Sequence, residues 1–240
     1  MNTVDMTQST VAVIPARGGS KVIPRKNLAP LNGRPLISYT ICAARQSRLV
    51  QRVVVSTEDP EIKAAAHEYG AEVIDRPLEL AGDDCPTLPV LKHALNQLEH
   101  NGSGKFDIVV VLQPTVPYRS VDDIDRAIEM LISKNADAVV GVVRSKVPRE
   151  WLFKLENGRI EFFQKPDFGR ARRQEGEECY RLNGSIYVYR ASTIIGSDQY
   201  AWGDNTYGYV MDNYHSVDID EPFDLAVAQM LLHASPNPSV

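Results

Sequence analysis

Strand-sized apolar segments alternate with helical segments from Val11 to Val143, and this alternation constrains the fold more than any other feature. The predicted strands are Val11–Pro15, Arg52–Ser56, Ala71–Ile74, Asp107–Leu112 and Ala138–Val143. The predicted helices are Pro35–Ser47, Asp59–Tyr69, Thr87–Glu99 and Ser120–Lys134. Strands that alternate with helices form a mainly parallel sheet covered on both faces. We therefore predict an α/β fold with a mainly parallel sheet and helices on both faces.

The regular alternation stops after Val143. Residues 145–180 contain an Asn157–Gly158 turn and a charged stretch, GRARRQEGEE, which predict short antiparallel strands or an inserted arm. A further strand is predicted at Ser185–Tyr189 and a final helix at Glu221–His233. We expect one apolar face of that helix to consist of Phe223, Val227, Met230 and Leu231.

Length and composition exclude several classes of protein. A chain of 240 residues, 43% of them hydrophobic, is suited to one folded domain, which we expect over residues 1–240 with 145–180 as an arm within it. No apolar run approaches the roughly 20 residues of a membrane-spanning helix, so we expect no membrane association. The first residues lack the features of a secretory signal, and we expect a cytoplasmic protein. Three scattered cysteines and five histidines without metal-binding spacing disfavour disulfides and structural zinc.

Positive charge is concentrated in the first quarter of the chain. The formal net charge is −5, which disfavours a nucleic-acid-binding protein. Between Met6 and Thr57, however, there are cations and no acidic residue. Four of the cations lie in a glycine-containing loop that follows the first predicted strand; they are Arg17, Lys21, Arg25 and Lys26. This placement favours a site for an anionic ligand over a merely solvated basic surface.

The loop at residues 16–27 has the composition of a phosphate-binding loop. Glycines allow backbone N–H groups to approach an anion closely. Arg17 offers a planar guanidinium for phosphate oxygens, and Lys21 offers a compact charge. The loop also follows the carboxyl end of a strand, where open parallel sheets bind ligands. It matches neither the Walker A pattern nor GxGxxG, so the pattern alone does not identify the ligand.

Polar residues at two later positions could also contact a ligand. Gln113 directly follows a buried strand, where its amide could bind sugar hydroxyls or simply be satisfied within the loop. Asp218 and Asp220 are separated by one residue, so both carboxylates point to one side of an extended chain. Such a pair can bind Mg²⁺, but it can equally cap the final helix. Arg119 is expected to be structural.

Five segments, in order along the chain, resemble the acylneuraminate cytidylyltransferases. They are ARGGSKVIPRKN from Ala16, RPLELAGDD from Arg76, LQPTVPYR from Leu112, RLNGSIY from Arg181 and SVDIDEP from Ser216. Together the resemblance spans about residues 10–232. Members of this family, the CMP-sialic acid synthetases and their relatives, activate nonulosonic (sialic-type) acids with CTP. The resemblance implies a Rossmann-like nucleotidyltransferase fold and a cytidylyltransferase activity that releases pyrophosphate.

The resemblance also implies roles for individual residues. Nucleotide binding is implied for Ala16, Arg17, Gly18, Lys21, Asn27, Arg76, Cys85 and Thr87. Binding of the sugar acid is implied for Gln113, Arg173, Asn183, Tyr187 and Lys154. A catalytic role is implied for Arg17, Lys21, Gln113 and Asp218, and Mg²⁺ ligation for Asp218 and Asp220. Without the resemblance, we would expect Arg76 to form a surface salt bridge and Thr87 to cap a helix.

In this family a protruding segment of one subunit reaches the site of its partner. The resemblance therefore implies a homodimer in which residues 145–180 form that segment and Arg173 meets the substrate carboxylate. The sequence departs from the family pattern at Val22, where glycine is usual, and at Val116, where serine is common. It also lacks the histidine often found before Pro148. These departures leave the identity of the sugar acid open.

Three alternatives remain open from the sequence. A glycosyltransferase with a DxD motif would also have paired aspartates, but it would lack the Arg-Gly-Gly-Ser-Lys loop. A related nucleotidylyltransferase could use another sugar or another base, such as GTP. A non-catalytic binding protein could retain the fold, although intact Arg17, Lys21, Asp218 and Asp220 argue against it.

Overall fold

A seven-stranded sheet forms the centre of the computed structural model, which describes residues 8–163, 178–198 and 202–234. The strands of the described residues are β1 (Thr10–Pro15), β2 (Pro30–Leu31), β3 (Arg34–Pro35), β4 (Arg52–Thr57), β5 (Glu72–Asp75), β6 (Ile108–Leu112), β7 (Ala138–Arg144), β8 (Phe153–Glu156), β9 (Arg159–Phe162), β10 (Tyr180–Arg190) and β11 (Thr206–Met211). The α-helices are α1 (Leu36–Gln46), α2 (Pro60–Glu68), α3 (Thr87–Leu98), α4 (Val121–Ser133), α5 (Ala191–Gly196) and α6 (Pro222–Ala234).

The strand order in this sheet is β11-β7-β10-β6-β1-β4-β5. Strands β6, β1, β4 and β5 pair in parallel, as do β11 and β7, whereas β10 is antiparallel to both of its neighbours. The prediction of a mainly parallel sheet is therefore confirmed. Because the chain passes from β1 to β4 on one side and later returns to β6 on the other, a topological switch point lies between β1 and β6. In such sheets this point is where ligands bind.

Both faces of the sheet are covered, because alternate residues of the strands point to opposite sides. On one face Ala12 and Ile14 pack with apolar residues of α1, α2 and α4. On the other face Val11 and Val13 pack with α3 and α5. A strand that is buried on both faces must be apolar at nearly every position, which is why β1 and β6 are continuous runs of apolar residues.

Capping side chains define where two of the helices begin. Asp59 accepts hydrogen bonds from the backbone N–H groups of Glu61 and Ile62 at the start of α2. Ser120 and Asp123 form the reciprocal capping box of α4. The helices predicted up to Lys134 all exist, and each of their ends lies within one residue of the predicted one.

The structure differs from the predictions mainly in the second half. Strand β11 and helix α5 were not predicted. The apolar face expected for α6 is wrong, since Phe223 and Met230 are 74% and 71% exposed. The side of α6 that packs on the protein contains Leu225 and Ala228 instead. It also contains Leu231, the one of these residues that the predicted apolar face included. Helix α6 is apolar nearly all round, so periodicity could not identify its buried side.

A separate antiparallel hairpin, β8–β9, lies within the segment expected to form an arm. Its turn is Asn157–Gly158, and both residues have positive φ, as a two-residue hairpin turn of this kind requires. Within the described part of the chain, no helix is both long and apolar enough to cross a bilayer.

Candidate active site

A cleft of about 250 Å³ lies at the switch point, beyond the carboxyl ends of β1 and β6. The loops after these strands supply Arg17 and Gln113, and the segment after β5 supplies Arg76. The cleft is lined by Pro15, Arg17, Gly19, Ser20, Lys26, Asn27, Arg76, Leu80, Gly82, Asp83, Cys85, Thr87, Val90, Gln113, Pro114 and Thr115. Parallel strands thus bring three distant parts of the sequence to one edge of the sheet.

Two cations of the loop after β1, Arg17 and Lys26, line this cleft. Arg17 and Lys21 both form ion pairs with the carboxylate of Asp83, and the Lys21 Nζ to Asp83 Oδ2 distance is 2.6 Å. The Asn27 side-chain amide donates to the Arg17 carbonyl at 2.9 Å, which fixes the path of the loop. Hydrogen bonds from Lys21 and Arg17 lower the pKa of Asp83, so this carboxylate is ionised at neutral pH.

Three predicted nucleotide-binding residues of this loop do not line the described cleft: Ala16, Gly18 and Lys21, the last of which pairs with Asp83. Ala16 is fully buried, and its N–H donates to the Ser56 carbonyl. The Gly18 N–H donates to Glu58 Oε1 at 2.6 Å. These two backbone donors therefore bind within the protein. The adjacent Gly19 and Ser20 line the cleft in their place.

The neighbouring glycines Gly18 and Gly19 should respond differently to substitution. A Cβ atom at Gly18 would lie 2.5 Å from Asp59 Oδ2, whereas a Cβ at Gly19 would meet nothing within 4 Å. Because Asp59 caps α2, it cannot move freely, and we expect Gly18→Ala to destabilise the fold by about 1–3 kcal/mol. Gly19→Ala is the matched control, with an unchanged melting temperature. Calorimetric melting of both variants checks this, and equal melting temperatures would show that the close approach at Gly18 is not required.

Arg76, Cys85 and Thr87 also line the cleft. Arg76 is only 7% exposed and donates to the Ser56 carbonyl at 2.6 Å, so the alternative of a surface salt bridge is wrong. Burial lowers the pKa of Arg76, and the nearby Glu58 carboxylate opposes this. Thr87 does not cap α3 either, because Pro86 occupies the N-cap position. The Thr87 side chain is thus available to a ligand.

Gln113 stands at the junction of this cleft with a second cavity of about 360 Å³. The two cavities share Cys85, Thr87 and Gln113 in their walls. The second cavity is otherwise lined mainly by apolar and aromatic side chains, which are Pro86, Leu88, Leu91, Val111, Leu182, Tyr187, Tyr189 and Trp202. The Tyr187 ring stacks on Trp202 with 6.2 Å between ring centroids. A compact ligand with both polar and apolar groups fits such a wall.

Arg119 has the structural role expected for it. Its side chain is 1% exposed and donates to Thr40 Oγ1, to Ser185 Oγ and to the Gln113 carbonyl. Burial lowers the pKa of Arg119, and the charge of Asp218 opposes this. By binding the backbone of Gln113, Arg119 fixes the loop that presents the Gln113 side chain to both cavities.

Asp218 and Asp220 lie beside the cleft, next to Thr115 and Lys26 of its lining. The Lys26 Nζ is 2.9 Å from Asp220 Oδ1. Asp218 Oδ1 is buried and has no hydrogen-bond partner among the described residues. Burial raises the pKa of Asp218, and the neighbouring Asp220 carboxylate raises it as well, while a Thr115 hydrogen bond and Lys26 lower it.

The residues expected to bind the sugar acid are placed differently from one another. Tyr187 lines the second cavity beside Gln113. Asn183 does not, because it is 1% exposed and its amide donates to Ser216 Oγ at 2.9 Å. Lys154 lies on the β8–β9 hairpin and lines neither described cavity. Arg173 lies outside the described residues.

Two residues that depart from the family pattern, Val22 and Val116, lie in different environments. Val22 is exposed on the loop at residues 16–27, and Val116 is fully buried against the position of Gly184. The Val116 side chain therefore packs in the protein and does not face the second cavity. The loss of a serine at this position thus removes no polar group from the lining of that cavity.

Sequence reasoning missed three residues of the site. Lys26 was counted as a loop cation, but its pairing with Asp220 joins chain positions far apart and has no local signal. Asp83 lies within the quoted segment RPLELAGDD, where two adjacent aspartates in a glycine-containing loop were a usable signal. Trp202 precedes an unpredicted strand, and nothing in its sequence neighbourhood indicates a cavity wall.

The chain is similar to known proteins over most of its length. A family model described as cytidylyltransferase matches residues 11–216. The chain is 34% identical to the CMP-N,N'-diacetyllegionaminic acid synthase of Legionella pneumophila, over 92% of this chain and 95% of that protein. It is 31% identical to post-translational flagellin modification protein B of Campylobacter coli, over 92% and 94%. It is 32% identical to the N-acylneuraminate cytidylyltransferase of Escherichia coli over 93% of this chain, which spans about half (52%) of that protein.

Solved structures show the same fold at lower sequence identity. A CMP:2-keto-3-deoxy-manno-octonic acid synthetase complexed with CTP superposes with a TM-score of 0.72 and 18% identity, over 94% of this chain and 99% of that one. A 4-diphosphocytidyl-2C-methyl-D-erythritol synthase superposes with a TM-score of 0.66 and 13% identity, over 94% and 100%.

Proposed function

This chain belongs to the cytidylyltransferase family, and on that premise we propose that it couples CTP to the anomeric hydroxyl of a nonulosonic acid. The products are a CMP-sugar and pyrophosphate. The observation that carries this proposal is the pair of adjoining cavities, one lined by cations and the other by aromatic side chains, with Gln113 in both walls. Two different substrates can therefore lie side by side with their reacting groups at the shared wall.

CTP occupies the cleft at the switch point in this proposal. Arg17 and Lys21 bind the triphosphate, and Gly19 and Ser20 supply the close backbone approach. Arg76 and Thr87 face the cytosine, whose O2 and N3 atoms accept hydrogen bonds. Arg76 uses part of its guanidinium to bind Ser56, so its orientation is fixed before the ligand arrives.

The sugar acid occupies the second cavity. Similar proteins are named for diacetyllegionaminic and N-acylneuraminic acids, whose acyl groups are apolar at their ends. An apolar wall formed by Leu182, Tyr187 and Trp202 suits such groups, and the Gln113 amide suits the ring hydroxyls. We propose a sugar acid of this class and leave its individual identity to the assay below.

The reaction is an in-line displacement. The oxygen of the anomeric hydroxyl forms a bond to the α-phosphorus, the bond from that phosphorus to the bridging oxygen of pyrophosphate breaks, and the hydroxyl proton passes to solvent. Catalysis of phosphoryl transfer depends mainly on positioning and on stabilisation of charge. Arg17 and Lys21 stabilise the negative charge that develops on the leaving pyrophosphate, and Gln113 orients the attacking sugar.

A divalent metal ion, which we propose to be Mg²⁺, fits the aspartate pair. The buried Asp218 Oδ1 atom lacks a partner among the described residues, as an atom reserved for a ligand would. No cluster of three or more metal-binding side chains occurs in the described part of the chain, so substrate oxygens and water must complete the coordination. Mg²⁺ commonly binds in this way. When bound, it supplies charge stabilisation at the α-phosphate.

We further propose that the protein is a cytoplasmic homodimer in which the β8–β9 hairpin contacts the second subunit. The residues Phe153, Leu155, Ile160 and Phe162 share one side of the hairpin, because each pair is directly opposite in register. Leu155 and Ile160 are 70% and 54% exposed. An isolated two-stranded hairpin is marginally stable in water, so an apolar side of this size favours a covering partner, which we take to be a second copy.

Charged substitutions on this side of the hairpin should convert the dimer to a monomer. In the double variant Leu155→Lys, Ile160→Lys, two ammonium groups would have to be buried without partners at the interface. Phe223→Lys, at an equally exposed apolar residue of α6, is the control and should remain dimeric. Analytical ultracentrifugation measures all three proteins. A double variant that sediments as a dimer would show that the hairpin is not the interface.

The assay of the proposed function is release of pyrophosphate from CTP and Mg²⁺ across a panel of nonulosonic acids. We expect release with CTP and at least one acid, and none with GTP or UTP. Release with GTP alone would instead support a relative of different base specificity. Consumption of a nucleotide sugar without use of CTP would support a glycosyltransferase.

A further inference from the structure

Asp83 forms ion pairs with both of the cations that we propose to bind the triphosphate. Arg17 donates to Asp83 Oδ1, and the Lys21 Nζ lies 2.6 Å from Asp83 Oδ2. Each carboxylate oxygen therefore binds one cation. A phosphate group also presents separate anionic oxygens, so it could replace the Asp83 carboxylate on Arg17, which lines the cleft, and on Lys21, which pairs with the same carboxylate.

The loop that carries Asp83 forms part of the nucleotide cleft. Gly82, Asp83 and Cys85 all line it, and Thr87 follows directly at the start of α3. The Asp83 side chain is 32% exposed, and that of Lys21 is 77% exposed. Ion pairs in water-accessible positions such as this one are weak and exchange readily, so an incoming polyphosphate can displace the carboxylate.

We propose that Asp83 is an internal competitor of polyphosphate, which holds Arg17 and Lys21 in place in the empty cleft and promotes the release of pyrophosphate after the reaction. This inference rests on the proposed function, because it takes Arg17 and Lys21 to be the triphosphate-binding cations. Asp83 acts through these two residues and is therefore a positioning residue. Lys21 and Arg17 lower the pKa of Asp83, which keeps the competing charge present at neutral pH.

In the competition for Arg17 and Lys21, a polyphosphate should displace the Asp83 carboxylate. A triphosphate carries several charges and binds the two cations more strongly than one carboxylate does, so CTP can still bind. Each polyphosphate must nevertheless break the Asp83 contacts before it binds, which weakens its affinity. Exposed ion pairs are individually weak, so removing the two contacts of Asp83 should strengthen pyrophosphate binding by about 3- to 10-fold.

The chain offers a matched control for this test. Asp84 is adjacent to Asp83, is exposed and carries the same charge. It forms no ion pair with the described residues. Asp83→Asn and Asp84→Asn therefore change the net charge of the same loop by the same amount, and only the first removes the contacts with Arg17 and Lys21.

The experiment is isothermal titration of the wild type and both variants with pyrophosphate and with CTP, at low and at high salt. We expect Asp83→Asn to bind pyrophosphate about 3- to 10-fold more tightly, and Asp84→Asn to change affinity by less than about 2-fold. The difference should shrink at high salt, because salt screens exposed charges. In steady-state assays the inhibition constant of pyrophosphate should fall in Asp83→Asn by the same factor.

Each other result would overturn the inference. Equal effects of the two variants would mean that only the overall charge of the loop matters. Weaker binding by Asp83→Asn would mean that Asp83 assists polyphosphate binding, for example by orienting the cations in the complex. If the wild type bound neither CTP nor pyrophosphate, the proposed function itself would fail, and this result is distinct from the other two.

Discussion

Asp218→Asn should lower turnover about 10³-fold while CTP binding stays close to that of the wild type. The buried Oδ1 atom of Asp218 has no hydrogen-bond partner among the described residues, and an asparagine of the same shape removes the charge of the side chain without leaving a cavity. Arg17 and Lys21, which we propose to bind the triphosphate, lie on a different loop and are not altered. Turnover measured with saturating substrates, together with CTP titration, separates the two effects.

The same substitution should not destabilise the protein. Burial raises the pKa of Asp218, which means that folding disfavours its ionised form at neutral pH. The free-energy cost of burying the ionised Asp218 is absent below the pKa that this group has in the unfolded chain, and it is fully present above the raised pKa of the folded state. The melting temperature of Asp218→Asn at neutral pH should therefore be no lower than that of the wild type. Asp122→Asn, at an exposed aspartate of α4, is the control for the change in charge. Wild-type turnover in Asp218→Asn would remove Asp218 from the account.

Arg17→Met should lower kcat/KM for CTP by about 10²- to 10³-fold. The guanidinium lines the cleft, and in the proposed mechanism it is one of the two cations that bind the triphosphate and stabilise the leaving pyrophosphate. Both KM and kcat should therefore change, because the interaction exists in the bound state and strengthens as charge develops. Arg17→Lys should recover only part of the loss, since an ammonium group cannot bind two oxygens in one plane.

Arg45→Met is the matched control for this prediction. Arg45 belongs to the same cationic first quarter of the chain, but it lies at the end of α1 and donates to the Tyr69 carbonyl at 3.0 Å. It carries the same charge and lies outside the cleft lining. If Arg17→Met and Arg45→Met lowered kcat/KM equally, general attraction of the nucleotide would explain the effect, and the specific role of Arg17 would be wrong.

The first half of the fold was predictable because its signals are local. The apolar run of β6 and the Ser120–Asp123 capping box of α4 each specify an element within a few residues. Strand β11 has a weaker local signal, because a glycine interrupts its sequence TYGYVM, and its pairing with β7 fixes it as a strand. The buried side of α6 is likewise decided by contacts with distant residues such as Tyr118, whose hydroxyl donates to the Ala228 carbonyl.

The sequence predicted most of the residues that line the candidate site, but it did not predict which of their polar groups face the cleft and which bind within the protein. Arg17, Arg76 and Gln113, which the motifs indicated as ligand-binding residues, line the same cleft. They could not show that the N–H groups of Ala16 and Gly18 are already bound within the protein, since that depends on Ser56 and Glu58 of another strand and loop. The ion pairs of Asp83 are of the same kind, because they join loops separated in sequence and close in space.

The most direct test of the central claim is a crystal structure of the protein with CTP and Mg²⁺. We expect a triphosphate bound to Arg17 and Lys21, a cytosine beside Arg76 and Thr87, and an α-phosphate that faces Gln113 and the second cavity. The Asp83 carboxylate should have left both cations in that complex. A triphosphate bound elsewhere, or a cytosine that occupies the aromatic cavity instead of the cleft, would contradict the account.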